Sequence, residues 1–314
     1  MKPSLSINKS DLDNNKWDRT LGMKELLIYL RDSNLFEISY HKDKIGALKG
    51  MRATILKYND KSVYLDLWEY NTPTYTRNVY DANFDLIIKL QHKNMSQSHV
   101  EAIAKRKGIL GWLTPEERWA FVEKIVPWTF FASRLMQLFI GKEDALEQLP
   151  IERMGFFCGK EWWPRHKMIP KLKEDKNIEY YASDQMTRNL PMNDEEYVHA
   201  MRTSKYGIVI HGRGSHMTEY KNRREIDYMM LKKPVLMNYK PYYYNPLEEG
   251  KHYIYIDENT DFEKLEKMYN IDELAENGYQ WYKENASPMG AAKVFLQIME
   301  DRFNDTGNKT TPNI

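Results

Sequence analysis

Arg223, Arg224 and Glu225 stand together in the second half of the chain, where a helix-like apolar pattern begins. Free backbone N–H groups and the helix dipole attract an anion to such a position. Arginine adds paired N–H donors that fit phosphate, and Glu225 can accept hydrogen bonds from two sugar hydroxyls. A nucleotide carries both of these groups, a phosphate and the vicinal hydroxyls of its ribose. The alternative is a simple ion pair between Glu225 and one of the arginines.

A glycine-bracketed turn precedes this helix and consists of His211, Gly212, Arg213, Gly214 and Ser215. Glycine lets a backbone turn sharply and approach a ligand closely, so the turn is a candidate part of the binding site. It lacks the third glycine of the dinucleotide fingerprint, and no Gly-Lys-Ser/Thr follows, as a P-loop would require. An ordinary connection between a strand and a helix is the alternative.

A second helix start of the same kind lies in "FFCGKEWWPRHK", where Gly159 ends a predicted strand and Pro164 primes a helix. Arg165 and Lys167 fall in the first turn of that helix. The segment therefore predicts a second cationic site at the end of a strand.

Strand-like and helix-like segments alternate around these sites. The strand-like runs are short and rich in β-branched and aromatic residues, as in "LFEISYH", "RATILKY", "SVYLDLWEY", "FDLIIKLQH", "RMGFFCG", "IEYYAS", "YGIVIHG" and "PVLMNY". Thr114 and Asn193 are predicted helix caps, each with a glutamate three residues later. The segment "IVPWTFFASRLMQLFIG" is interpreted as a buried helix, and residues 1–17 as a polar end.

This alternation predicts βαβ units with parallel sheets. The expected fold class is α/β, with two Rossmann-like doubly wound domains that face an interdomain cleft. We expect an acceptor-side domain over residues 1–145 and a donor-binding domain over residues 146–288. Over residues 289–314 we expect a helix that packs back toward the first domain, followed by a polar tail.

Composition excludes several classes of function. Apolar residues make up 42% of the 314 residues and the net charge is +1, so the chain resembles a globular protein without a basic stripe for nucleic acid. The single cysteine, Cys158, excludes an intrachain disulfide. No stretch approaches the ~20 apolar residues of a membrane span, and no secretion signal is evident. These features predict a cytoplasmic protein; oligomeric state is not predicted.

The pattern "G-x-G-S … R-R-E-I-D-Y-M-M-L-K-K-P-V-L-M … Y-Y … L-E-E-G-K-H-Y-I-Y-I" resembles the donor half of GT-B glycosyltransferases, most closely exostosin-type families. The resemblance covers about 100 residues, from Arg153 to Asp257, and departs at Lys233, near which these families often carry glycine. It implies that Arg224 and Arg165 bind the donor phosphates and that Glu225 binds the ribose. A virus-encoded enzyme would fit the composition.

The resemblance also implies a base at a strand end of the first domain, to take the proton of the acceptor hydroxyl. Asp66, Glu69 and His92 are the candidates. Asp66 stands in an apolar strand, where an unpaired carboxylate is costly, and a solvated strand face is the alternative. No tight acid cluster suggests a metal site, and His211 and His216 are not spaced as ligands.

The predicted function is transfer of a sugar from a nucleotide-sugar donor, UDP-sugar before GDP-sugar, to a hydroxyl of a glycan. The reaction is expected to invert the anomeric centre and to need no metal. The alternatives are a non-catalytic protein of the same fold that binds a nucleotide or phosphosugar, and a nucleotide-sugar epimerase or phosphosugar isomerase.

Overall fold

The computed structural model describes residues 2–12, 21–42, 53–66, 76–89, 96–107, 110–129, 134–160, 165–176, 178–183, 192–210 and 223–304. The chain divides into two compact units. The first comprises Met1–Thr129 and Pro288–Ile314, and the second comprises Phe130–Ser287. The sequence analysis places the first boundary later, at residue 145.

The first unit contains a six-stranded sheet with helices around it. Its strands are β1 (Ser4–Asn8), β2 (Glu37–His41), β3 (Ala53–Tyr58), β4 (Lys61–Asp66), β5 (Leu86–Lys89) and β6 (Ile125–Pro127). Its helices are α1 (Lys9–Leu12), α2 (Leu21–Asp32), α3 (Thr76–Asp81), α4 (Gln97–Lys107) and α5 (Pro115–Glu123). The strand order is β2-β1-β3-β4-β5-β6, and β4, β5 and β6 are parallel, so their carboxyl ends share one edge.

The strand β3 is antiparallel to both of its neighbours, β1 and β4, which the sequence analysis did not predict. The cause is a tight hairpin between β3 and β4, in which Tyr58 pairs with Lys61. Only Asn59 and Asp60 remain for the turn, and Asn59 has a φ of 52°. Asparagine tolerates this left-handed conformation, which two-residue hairpin loops favour.

Two predictions for the first unit are wrong. The expected buried helix after α5 is instead the strand β6, followed by a 3-10 turn over Arg134–Phe139. Ile125 and Val126 are β-branched and Pro127 has no backbone donor, so this segment suits a short strand better than a helix. The expected polar amino end contains β1, in which Leu5 and Ile7 are buried.

The second unit contains a five-stranded sheet that is parallel throughout. Its strands are β7 (Arg153–Lys160), β8 (Ile178–Ser183), β9 (Ser204–Val209), β10 (Val235–Met237) and β11 (Ile254–Tyr255). Its helices are α6 (Met168–Glu174), α7 (Asp194–Arg202), α8 (Arg223–Met230), α9 (Leu265–Met268) and α10 (Ile271–Asn285). The helix α10 was not predicted.

The strand order of this sheet is β11-β10-β9-β7-β8. The chain passes from β7 to β8 on one side and then returns to β9 on the other. The neighbours β7 and β9 therefore flank the point at which the winding direction reverses. In open α/β sheets this reversal leaves a crevice at the carboxyl ends of the strands, where ligands bind.

Close packing between α8 and β9 fixes where α8 begins relative to the sheet. A Cβ atom on Gly207 would lie 2.2 Å from Cγ of Tyr228, so only glycine fits beneath this ring. The Tyr228 hydroxyl donates to the carbonyl oxygen of Phe156 at 3.1 Å. The first turn of α8, with Arg224 and Glu225, is thereby held against the sheet.

The final helix, α11 (Pro288–Phe303), lies in the first unit and packs against α2. The ring of Phe295 contacts those of Phe36 and Trp128, and the Trp128 indole N–H donates to the Ala291 carbonyl at 3.1 Å. The predicted α/β fold class with two Rossmann-like domains is confirmed, with a sheet that is parallel throughout in the second unit and mixed in the first.

Candidate functional site

Arg165 connects the carboxyl ends of β7 and β9. It opens a 3-10 turn, Arg165–Lys167, that leads into α6, and only 7% of the residue is exposed. Its Nε atom donates to the backbone carbonyl of Ile210, directly after β9, at 3.3 Å. The side chain thus lies at the reversal point of the sheet, where parallel α/β sheets bind ligands.

Arg224 reaches the same place from the first turn of α8. A Cβ atom built on Gly159 would lie 2.9 Å from Nη1 of Arg165 and 3.0 Å from Nη1 of Arg224. Two guanidinium groups from different elements therefore converge beside the end of β7. Two like charges this close repel each other. An anion bound between them would remove this repulsion.

The ring of Phe157 supports both arginines. The Cζ atom of Arg165 lies 5.4 Å from the ring centroid, and that of Arg224 lies 6.0 Å from it. These are cation–π distances. The ring of Tyr180 stacks on Phe157, with centroids 5.5 Å apart and an interplanar angle of 15°. The two guanidinium groups therefore rest on an ordered aromatic pair.

The surroundings of Arg224 keep its guanidinium protonated. Burial opposes the charge, but the Tyr197 hydroxyl, the Cys158 thiol and the Asp227 carboxylate outweigh this and raise the pKa of Arg224. The Tyr197 hydroxyl also hydrogen-bonds to Arg224. Burial raises the pKa of the Cys158 thiol, although the nearby guanidinium opposes this shift. The site therefore presents positive charge beside a thiol that stays protonated.

Glu225 is fully buried, and its carboxylate accepts hydrogen bonds from the hydroxyls of Tyr239 and Tyr243. Burial and the Glu225 carboxylate raise the pKa of Tyr243 well above its ordinary value. Two hydroxyl groups of the tyrosine-rich loop after β10 thus donate hydrogen bonds to a buried carboxylate. A ribose hydroxyl would have to join or replace these tyrosines to reach Glu225.

Asp66 lies at the carboxyl end of β4 and pairs across the sheet with Lys89, the last residue of β5. The Lys89 ammonium donates to Oδ2 of Asp66 at 2.9 Å, and neither residue is exposed. The alternative of a solvated strand face for Asp66 is therefore wrong. Burial lowers the pKa of Lys89, and the Asp66 carboxylate opposes that shift.

Several predicted site residues lie outside the part of the chain that the structure describes. They are Glu69, His92 and the whole glycine-bracketed turn, His211, Gly212, Arg213, Gly214 and Ser215. Within the described residues, no group of three or more His, Cys, Asp or Glu side chains is placed to hold a metal ion. In the same part of the chain, no helix is long and apolar enough to cross a membrane.

Among the residues that the structure brings to the candidate sites, Lys89, Tyr239 and Tyr243 were not predicted. Lys89 is a lone lysine at the end of the apolar run "LII", and this position could have suggested a buried partner for an acid. Tyr239 and Tyr243 belong to the tyrosine-rich loop after β10. No local pattern links these two tyrosines to Glu225.

No protein-family model matches the sequence, and no curated protein matches it. Among solved structures, the chain is similar to a glycosyltransferase from Rickettsia africae ESF-5. The identity is 12%, the match covers 94% of this chain and 84% of that chain, and the TM-score is 0.40. Anabaena HepE is similar in its complexes with UDP and with UDP-glucose, at 10% and 11% identity. These matches cover 72% of this chain and 74% of HepE, with TM-scores of 0.34 and 0.36.

Proposed function

We propose that this protein is a glycosyltransferase that transfers a sugar from a nucleotide-sugar donor to a hydroxyl of a glycan. In this proposal the second unit binds the donor, and Arg165 and Arg224 bind its diphosphate. The observation that carries the proposal is the convergence of the two guanidinium groups beside Gly159, at the reversal point of a parallel sheet. UDP-sugar is the first donor to test and GDP-sugar the second.

The arginine pair suits the charge that develops in this reaction. The bond between the anomeric carbon and the diphosphate oxygen breaks, and the acceptor hydroxyl oxygen bonds to the same carbon. The nucleoside diphosphate departs with the electron pair, and two preorganised guanidinium groups stabilise that negative charge. The reaction as proposed needs no metal, because the arginines supply the positive charge.

A base must take the proton of the acceptor hydroxyl if the reaction inverts the anomeric centre. Asp66, Glu69 and His92 remain the proposed candidates. The Lys89 ammonium occupies Oδ2 of Asp66. If Asp66 is the base, the buried carboxylate must become accessible to the acceptor while Lys89 remains its neighbour.

Isothermal titration calorimetry with UDP and GDP in the presence of EDTA tests donor binding. We expect Arg165→Gln and Arg224→Gln each to weaken binding at least tenfold, since each removes a charge-assisted contact. Arg153→Gln is the matched control, because Arg153 lies at the opposite end of β7 and pairs with Glu152 and Glu179. Equal affinity in all three variants and the wild type would refute the proposed site.

Turnover is tested by incubating the protein with UDP-sugars and measuring the release of UDP. Release confirms transfer to an acceptor or to water. Nucleotide binding without release would identify a non-catalytic binding protein. Conversion of the sugar while it remains attached to the nucleotide would identify an epimerase instead.

A further inference from the structure

Two glycines on β7 have very different neighbours. Gly155 and Gly159 are four residues apart on one strand, so the missing side chains would point to the same face of the sheet. A Cβ atom on Gly155 would lie 2.6 Å from Cδ1 of Ile208, inside the hydrophobic core. A Cβ atom on Gly159 would instead meet the two arginine Nη1 atoms at 2.9 and 3.0 Å.

We propose that Gly159 is a positioning residue for the arginine pair. Because it has no side chain, both guanidinium groups reach a common point beside the strand, where one phosphate group can bridge them. The ring of Phe157 supports the same two groups, and its Cζ atom lies 3.2 Å from the Gly159 Cβ position. This inference rests on the proposed function for the nucleotide, but it needs only a phosphate-containing anion for the arginines.

The backbone does not require glycine at this position. Among the glycines of the described residues, positive φ angles occur at Gly141 and Gly250, and Gly159 is not one of them. Alanine therefore fits the strand conformation. Its methyl group would contact the ends of two flexible arginine side chains, which can move aside, and the edge of the Phe157 ring, which must shift by a few tenths of an ångström.

Substitution of the two glycines is therefore expected to affect different properties, ligand binding at Gly159 and folding stability at Gly155. In Gly159→Ala the added methyl group forces the two Nη1 atoms away from the point at which they converge. The chain stays folded, and alanine reduces the freedom of the unfolded chain. In Gly155→Ala the methyl group presses on Ile208 in the core, where overpacking destabilises. Alanine at position 159 is thus expected to weaken anion binding, whereas alanine at position 155 is expected to lower stability.

The test measures the melting temperature and the affinities for UDP and for inorganic pyrophosphate, in EDTA, for the wild type and both alanine variants. We expect Gly159→Ala to bind both ligands at least tenfold more weakly and to melt at or above the wild-type temperature. We expect Gly155→Ala to melt at a lower temperature and to retain both affinities within twofold at a temperature where it is folded.

Unchanged affinities in Gly159→Ala, together with weak binding by Arg224→Gln, would overturn the positioning role and leave the proposed function intact. Pyrophosphate binding that Gly159→Ala weakens, in a protein that binds no nucleotide, would support the positioning role and refute the proposed function. Binding of neither ligand by the wild type would refute both.

A second variant covers the case in which Gly159→Ala does not fold. Phe157→Leu keeps an apolar side chain but removes the ring beneath both guanidinium groups. We expect it to weaken pyrophosphate binding several-fold relative to wild type, and wild-type affinity in this variant would contradict the proposed arrangement.

Discussion

Lys89 donates a hydrogen bond to Asp66 at 2.9 Å, and both side chains are buried at the carboxyl ends of two adjacent parallel strands. Each charge compensates the desolvation of the other. Removal of one partner from a buried ion pair costs about 3–5 kcal/mol, whereas replacement of both by apolar groups is often nearly neutral. The pair therefore couples the ends of β4 and β5 strongly.

We expect Lys89→Met and Asp66→Leu each to lower the free energy of unfolding by about 3–5 kcal/mol, and the double variant to lose less than either single variant. Urea denaturation of the three proteins measures this coupling. Additive losses would contradict it and would mean that each side chain is stabilised by other neighbours.

The pH dependence of Asp66→Asn provides a separate test. Without the carboxylate, burial dominates and the pKa of Lys89 falls further below its ordinary value of 10.5. The unfolded chain then binds more protons than the folded chain between these two pKa values, so stability rises as pH increases toward 10.5. From pH 7 to pH 9, the urea concentration at the unfolding midpoint should increase more in Asp66→Asn than in the wild type. An equal increase in the two proteins would contradict this account.

The Glu225 carboxylate accepts hydrogen bonds from Tyr239 and Tyr243. This structural role can be tested separately from its proposed role in ligand binding. We expect Tyr239→Phe and Tyr243→Phe each to destabilise the protein by about 1.5–3 kcal/mol, because each removes a hydrogen bond to a buried charged group. Thermal or urea unfolding measures this loss. Tyr255→Phe is a control, since Tyr255 lies on β11 of the same unit and is 40% exposed. A loss in the control as large as in the other two variants would contradict the contact.

The ribose role predicted for Glu225 has a distinct signature. It implies that UDP binds more tightly than 2′-deoxy-UDP, and that Glu225→Gln reduces this preference. Calorimetric titration at a temperature where the variant is folded measures both affinities. A preference that persists in Glu225→Gln would assign the carboxylate to Tyr239 and Tyr243 alone.

Much of the second unit follows from local sequence. Asn193 and Glu196 form the predicted capping box at α7, because both residues of this motif lie within one turn. The apolar runs at β7 and β9 stand out because inner strands of a parallel sheet are buried on both faces. The positions of Arg165 and Arg224 at the start of helix-like segments predict phosphate binding for the same local reason.

The partners of these residues could not be predicted, because they depend on strand order and register. Asp66 meets Lys89 only because β4 and β5 pair in parallel with those residues opposite each other. Gly159 meets both arginines only because β7 and β9 are neighbours in the sheet. No short sequence pattern specifies either relationship, so the sequence indicates Asp66, Arg165 and Arg224 but not Lys89 or the contacts that these residues make.

Cys158 offers a chemical probe of the candidate site. It is the single cysteine of the chain, it is 2% exposed, and burial raises its pKa. The thiolate is the reactive form, so we expect alkylation at pH 8 to be at least tenfold slower in the folded protein than in urea. Mass spectrometry follows the single modification. Equally fast labelling of the folded protein would show that the end of β7 is open to solvent.

Lys232 ends helix α8 in a left-handed backbone conformation. The Lys232 N–H donates to the Met229 carbonyl at 3.0 Å, and the Lys233 N–H donates to the Tyr228 carbonyl at 2.9 Å. These bonds form a Schellman motif at the end of α8, with Lys232 at the left-handed position, where φ is 54°.

Glycine and alanine at position 232 isolate the cost of this conformation. Both substitutions remove the contacts of the Lys232 ammonium with Asp144 and with the Tyr279 ring, so these losses cancel in the comparison. We expect Lys232→Gly to be more stable than Lys232→Ala by about 1 kcal/mol, because only glycine adopts the left-handed conformation without strain. At Lys233, which has no positive φ, alanine should be the more stable of the two. Urea denaturation of the four variants measures these differences in stability. If the alanine variant is the more stable one at both positions, a strained backbone at Lys232 is excluded.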